Sequence, residues 1–117
     1  MTAPDDDALR REFEPRLRAE LAELRQSSAG TAADRAPVTL DQQSVGRLSR
    51  IDALQVQAMA KAAEARRLGR RTRIEAALRR MDEGEFGFCT RCGDFIGLGR
   101  LRIDPTTALC LDCASGS

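Results

Sequence analysis

Apolar residues recur at helical spacing in two stretches of this chain. The first stretch has three leucines on one helical face: Leu17, Leu21 and Leu24. Pro15 suits the first position of such a helix, where a missing backbone N–H costs nothing. We predict a helix from Pro15 to Gln26 after a loose or short helical lead-in, and a turn over the small and polar residues 27–37.

The second stretch is longer and begins at Thr39, which forms a capping-box pattern with Gln42. No proline follows until Pro105, so a helix is predicted from about Thr39 to Met81. A helix of this length needs a partner face in a small protein. Its apolar stripe is predicted to pack antiparallel on the first helix: Ile51, Leu54, Ala58, Ala62 and Ala65.

Beyond Gly69 the apolar positions of the long helix move to another face. Ile74, Leu78 and Met81 lie at least about 90° around the helix from the earlier stripe, at about 100° per residue. The helix is therefore predicted to change partners near Gly69, from a helical hairpin to a small C-terminal globule.

The composition favours long helices over a large core. Of the 117 residues 42% are hydrophobic, but only 3% are aromatic and 32% are charged. Such a composition, rich in Ala, Leu, Arg and Glu, is typical of a coiled coil. The net charge of +1 indicates no general attraction to nucleic acid or membranes. The acidic start, Asp5 to Asp7, is unlike a signal peptide, so we predict a cytoplasmic protein with no membrane partner.

Two Cys-x-x-Cys pairs, separated by 17 residues, carry the clearest chemical signal in the chain: Cys89, Cys92, Cys110 and Cys113. Each short spacer lets a tight turn present two sulfurs to one metal, and Gly93 suits such a turn because it adopts positive φ readily. Four thiolates fill the tetrahedral shell of zinc, so one structural Zn²⁺ per chain is predicted. The alternatives are a disulfide framework and a redox-active Cys-x-x-Cys pair.

The chain contains no histidine. This excludes imidazole-based acid–base catalysis and mixed Cys/His metal sites, and a zinc ion saturated by four thiolates is not a hydrolytic centre. We therefore predict that the protein is not an enzyme.

The predicted fold is mostly α: an antiparallel helical hairpin, or coiled coil, with a small C-terminal four-cysteine zinc ribbon of short strands and turns. Residues 1–82 are predicted to form the hairpin with its N-terminal lead-in, and residues 83–117 the ribbon. The small core of the ribbon is predicted from three aromatic residues: Phe86, Phe88 and Phe95. We expect a monomer.

The cysteine region resembles the DksA/TraR family of bacterial four-cysteine zinc-finger proteins. The shared features follow in order from Met81 to Cys113: a Glu-Phe-Gly-Phe-Cys entry, Cys-Gly, Ile-Gly-x-x-Arg-Leu, Pro-Thr and Leu-Cys-x-Asp-Cys. This motif covers about a third of the chain, and the long helix before it is similar in character.

The resemblance implies a transcription regulator that binds RNA polymerase directly. In the family the globule docks at the rim of the polymerase secondary channel, the coiled coil reaches inward, and the alarmone ppGpp often acts together with the protein. It also implies no catalysis and no base-specific DNA contact. The alternative is a zinc-ribbon helical adaptor for another partner, without transcription activity.

The hairpin tip departs from the family pattern of Asp-x-x-Asp-x-Ala. Gly46 stands where the second acid is expected, and Leu48 where the alanine is expected. We therefore predict that other charged residues near the tip make the partner contacts: Asp41, Arg47, Arg50 and Asp52.

Overall fold

The computed structural model describes residues 4–37 and 47–116, of which residues 47–49 are described by their backbone alone. Five helices follow in order: α1 (Asp6–Gly30), α2 (Ala32–Arg35), α3 (Arg47–Asp82), α4 (Leu98–Ile103) and α5 (Leu111–Ser115). The described ranges contain no strand, and one isolated antiparallel bridge joins Phe88 to Phe95. The predicted mostly helical fold is confirmed, although helices α4 and α5 occupy part of the region where short strands were expected.

Helix α1 is longer than predicted and includes Pro15 in its interior. It begins where the Asp5 carboxylate accepts a hydrogen bond from the Ala8 N–H at 2.7 Å, a local cap for an otherwise unpaired donor. Pro15 removes one hydrogen bond from the helix. Buried apolar residues on both sides of the proline stabilise the helix despite this loss: Leu9, Phe13, Leu17 and Leu21.

The predicted packing face of α3 is wrong. All five residues of the stripe from Ile51 to Ala65 are exposed. A series of less exposed positions instead follows a 3–4 spacing along the helix: Ala53, Gln57, Ala60, Glu64, Arg67, Arg71, Ile74, Leu78 and Met81. This spacing is typical of coiled coils. The residues in the first half of the series are polar or small, so the apolar residues of α3 indicated the wrong face.

The chain forms two compact units, Met1–Leu21 with Arg71–Ser117, and Ala22–Arg70. Helix α3 passes from one unit to the other at residues 70–71, close to Gly69, where a change of packing partner was predicted. The buried face of the helix was also predicted to rotate there, but the less exposed positions keep their 3–4 spacing through this point. The division of the chain at residue 83 stays a prediction. The predicted capping box at Thr39 lies outside the described residues.

In the unit Ala22–Arg70, polar contacts join α3 to α1 and to the segment that follows α1. The Ser28 hydroxyl donates to the Glu64 carboxylate at 2.7 Å, and Arg67 donates to the same oxygen at 2.9 Å. Further along the chain, Gln57 donates to the Ala36 carbonyl at 2.7 Å. The partners advance in opposite directions, as expected for an antiparallel pair. The Ser28 hydrogen bond and then the two arginines near it lower the pKa of Glu64.

The other unit has the main apolar core. Its fully buried side chains come from α1, α3 and α4 and the segment after α4: Leu9, Phe13, Leu17, Ile74, Leu101 and Pro105. Phe13 lies against Phe86, with ring centroids 5.6 Å apart. Arg102 of α4 also donates to both carboxylate oxygens of Glu12, at 2.6 and 3.0 Å. The N-terminal half of α1 is therefore part of the cysteine-bearing unit.

Within the described ranges, none of the helices combines the length and apolar character that a bilayer span requires.

Candidate metal centre

The first cysteine pair lies in a turn that follows the end of α3. Gly87 has φ of 92° and Gly93 has φ of 82°, values that a residue without Cβ adopts at little cost. Backbone hydrogen bonds close the turn from Cys89 N to Asp94 O (2.8 Å) and from Ile96 N to Gly87 O (2.8 Å). The predicted positive φ of Gly93 is confirmed.

Backbone N–H groups point at the sulfur of Cys89. The donors are Arg91 N at 3.4 Å and Cys92 N at 3.5 Å. Hydrogen bonds of this kind favour a thiolate over a thiol. The turn therefore prepares Cys89 to be a metal ligand.

The second pair repeats this arrangement at the start of α5. Cys110 is the N-cap residue of α5, and its sulfur accepts from Cys113 N at 3.4 Å. Thr90 N donates to Ala108 O at 2.9 Å, and this bond ties the second turn to the first. Arg100 of α4 donates to the Leu109 carbonyl at 3.2 Å, which fixes the chain just before Cys110.

The four sulfurs lie within 4.8 Å of one another. Tetrahedral zinc with bonds of about 2.3 Å requires sulfurs about 3.8 Å apart, and the Cys92 and Cys110 sulfurs are 3.6 Å apart. That distance is too long for a disulfide, whose bond is about 2.05 Å, and all four cysteines are free. The residues fit a structural Zn²⁺ held by four thiolates, as predicted.

Backbone N–H groups and neighbouring thiols separate the pKa values of three of the cysteines. Backbone N–H groups, that of Cys110 first, lower the pKa of Cys89 to about 6. The Cys110 side chain, together with burial and the other two cysteines, raises the pKa of Cys113 to about 12. Although the Asp94 N–H acts to lower it, burial and two neighbouring thiols raise the pKa of Cys92. In the absence of metal, therefore, these three thiols do not ionise together.

We expect zinc affinity to fall steeply on acidification, because the metal must displace protons. Near pH 7 the Cys89 thiol is already ionised, whereas Cys92 and Cys113 carry protons that zinc must release. Release of at least two protons weakens binding by at least about a hundredfold for each pH unit lowered. Competition with a chromophoric chelator between about pH 6 and 7.5 measures this slope. An affinity that does not change over that range would contradict the assignment.

The predicted tip residues lie far from the cysteines in the sequence, and the metal-binding cluster of the described residues consists of the four cysteines alone. Asp41 lies outside the described residues, and Arg47 begins α3. Arg50 and Asp52 are exposed on α3, but residues two apart do not face the same side of a helix. The tip assignment stays a prediction.

One feature of this unit was missed from the sequence. A groove of about 430 Å³ lies between α3 and the segment that precedes α5, and three arginines line it: Arg73, Arg80 and Arg100. Burial, together with the charge of Arg79, lowers the pKa of Arg80. Arg73 and Arg80 lie two turns apart on α3, but Arg100 belongs to α4, so only the fold shows that the three surround one space.

The cysteine region is similar in sequence to known zinc-finger proteins. Residues 84–117 match the prokaryotic dksA/traR C4-type zinc finger. The RNA polymerase-binding transcription factor DksA of Haemophilus influenzae is 49% identical over 41 residues, which are 35% of this chain and 28% of that protein. The Escherichia coli K12 protein of the same name is 44% identical over 41 residues, 35% of this chain and 27% of that protein. The matched segment thus spans less than a third of these relatives.

A solved structure extends the similarity to most of the chain. The transcription factor DksA2 from Pseudomonas aeruginosa matches with a TM-score of 0.55 and 25% sequence identity. The match covers 93% of this chain and 76% of that one. The sequence similarity is therefore concentrated in the zinc finger, while the similarity of fold includes the helices.

Proposed function

Because this chain belongs to the DksA/TraR family of four-cysteine zinc-finger proteins, we propose that it is a bacterial transcription regulator that binds RNA polymerase directly. The observation that carries the proposal is the matched zinc finger of residues 84–117, whose four sulfurs form one metal site. The relatives that share this segment are named as RNA polymerase-binding transcription factors.

We propose further that docking occurs at the polymerase secondary channel. The antiparallel pair formed by α1 and α3 in the unit Ala22–Arg70 is a narrow element of the kind that a channel admits. The charged residues proposed to act near the active centre are those of the predicted tip: Asp41, Arg47, Arg50 and Asp52.

The alarmone ppGpp is a proposed second partner, acting together with polymerase. The groove between Arg73, Arg80 and Arg100 supports this proposal, because three guanidinium groups favour a ligand that carries several phosphates. Asp104 also lines the groove and reduces its positive charge.

The proposal also covers the location and oligomeric state of the protein and the activities that it lacks. The protein acts in the cytoplasm as a monomer, catalyses no reaction and makes no base-specific contact with DNA. A zinc site of four thiolates supports the cytoplasmic location, because clustered cysteines in a reducing compartment bind metal in preference to forming disulfides. The second candidate function is a helical zinc-ribbon adaptor for another protein, favoured by the exposed apolar residues on α3.

A binding and transcription assay tests the polymerase proposal. We expect the wild-type protein to bind RNA polymerase at micromolar concentration and to compete with another factor that uses the secondary channel. The double variant Arg50→Ala, Asp52→Ala should bind as well as wild type but no longer shift the lifetime of promoter complexes. Both positions are exposed, so the variant should lose no more than about 0.5 kcal/mol of stability per site.

The matched control is Glu23→Ala, an exposed substitution on α1 in the same unit, which should behave like wild type in both assays. Failure of the wild-type protein to bind polymerase would favour the adaptor function. Binding with unchanged activity of the double variant would retain docking and reject the tip assignment.

A further inference from the structure

The apolar stripe of α3 has no place in the core that the structure forms. We call these five residues the outer stripe: Ile51, Leu54, Ala58, Ala62 and Ala65. All five are exposed, with Ile51 at 46% and Leu54 at 47% of their full exposure. Another side of α3 carries Gln57 and Glu64, which contact Ala36 after α2 and Ser28 of α1.

The outer stripe is narrow and continuous. At about 100° per residue its members fall within an arc of about 80°, and the positions from Ile51 to Ala65 extend over about 21 Å. Aliphatic side chains stand at one end and three alanines follow. Alanine allows the backbone of another helix to approach closely, whereas the two larger residues supply apolar area for contact.

Positive charges border the outer stripe. Arg50, Lys61 and Arg66 are exposed, and none of the three forms an ion pair with another residue that the structure describes. Residues 47–70 contain six basic and two acidic residues, and one of the acids, Glu64, is already held by Ser28 and Arg67. The stripe therefore has an apolar centre and a basic border.

We propose that the outer stripe binds an amphipathic helix of a partner protein whose borders are acidic. Such a helix places its apolar residues against the alanines and its carboxylates beside Arg50, Lys61 and Arg66, in the way that charged border positions select partners in coiled coils. A second copy of this chain fits poorly, because like charges would face each other. A membrane surface also fits poorly, because interfacial helices insert large residues and the stripe is mostly alanine.

Two designed helical peptides test the charge requirement. Both carry leucine at the a and d positions of three heptads; one has glutamate at the e and g positions and the other has lysine. Fluorescence anisotropy with the full-length, zinc-loaded protein should show the glutamate peptide binding at least about tenfold more tightly than the lysine peptide. Added salt should reduce this difference.

Variants then locate the binding site. Ala62→Gln places a longer side chain in the centre of the stripe and should weaken the glutamate peptide by about tenfold, an effect expected when close packing is blocked. The matched control is Ala29→Gln, at an exposed position of α1 in the same unit, which should leave binding within about twofold. The double charge reversal Lys61→Glu, Arg66→Glu should invert the preference towards the lysine peptide.

Three results would overturn the proposal. The first is equal binding of the two peptides, and the second is wild-type binding by Ala62→Gln. The third is concentration-dependent dimerisation in sedimentation that Ala62→Gln abolishes, because a second copy would then occupy the stripe. Because no polymerase is present, failure here leaves the proposed regulator function to its own test.

Discussion

Replacing Cys110 by serine is expected to remove zinc from the purified protein and to unfold the segment that surrounds the metal site. An apparent binding free energy of about 10–16 kcal/mol, shared among four thiolates, corresponds to about 2.5–4 kcal/mol for each ligand. Loss of one thiolate should therefore weaken zinc binding by at least about a hundredfold. Elemental analysis should find close to one zinc per chain in the wild type and much less in the variant.

Amide hydrogen exchange shows where the variant loses structure. Three backbone bonds depend on the arrangement of the two turns: Cys89 N to Asp94 O, Ile96 N to Gly87 O, and Thr90 N to Ala108 O. Their amides should exchange quickly in the variant and after chelation of the wild type. The amides of α3 within residues 50–70 should keep their protection, because the polar contacts of that unit involve no cysteine.

The matched control is Asp112→Asn, an exposed residue between the last two cysteines that offers no sulfur. It should bind one zinc and exchange like wild type. Native exchange and full zinc content in Cys110→Ser would show that the Cys110 thiolate is dispensable. Native exchange in the wild type after chelation would contradict the structural role of the metal.

The metal site was predictable because a short spacer determines its local geometry. A Cys-x-x-Cys turn needs few residues, and the glycine after Cys92 is the one that the turn requires. The long-range contacts were not predictable in the same way. One groove is lined by Arg73, Arg80 and Arg100 only after the chain has folded, and their spacing along the sequence does not predict it.

The helices show a different limit. The sequence predicted two antiparallel helices, and both exist, but the apolar residues of α3 identified the wrong face. In the unit Ala22–Arg70 the half-buried positions of α3 carry Gln57, Glu64 and Arg67. Glu64 accepts a hydrogen bond from Ser28 of α1, and the other two donate to residues that follow α1 in the chain, Ala36 and Thr31. Polar partners of this kind are chosen by geometry between helices, so hydrophobic periodicity alone does not find them.

Only a loose or short helical lead-in was predicted before Pro15, because proline suits the first position of a helix. In the structure α1 continues through the proline, because residues before it pack in the core. Phe13 is fully buried and contacts Phe86, whereas Phe88 contacts Phe95. The three aromatic residues predicted to form the ribbon core are thus divided between two ring pairs, and one pair depends on α1.

We therefore expect Phe13→Ala to destabilise the cysteine-bearing unit, not α1 alone. Deleting a fully buried phenylalanine side chain costs about 3–5 kcal/mol through lost burial and the cavity that remains. For a unit of this size such a loss lowers the melting temperature by about 15 °C or more. Differential scanning calorimetry of the zinc-loaded protein measures this shift.

Two comparisons make the result specific. Phe13→Leu keeps most of the buried volume and should cost less than about 1.5 kcal/mol. Hydrogen exchange at Ile96 N and Leu101 N, whose acceptors are Gly87 O and Gly97 O, should accelerate in Phe13→Ala well below its melting temperature. If those amides stay protected while only α1 loosens, the zinc segment has a sufficient core of its own. In that case the predicted division of the chain at residue 83 would be the better description of its domains.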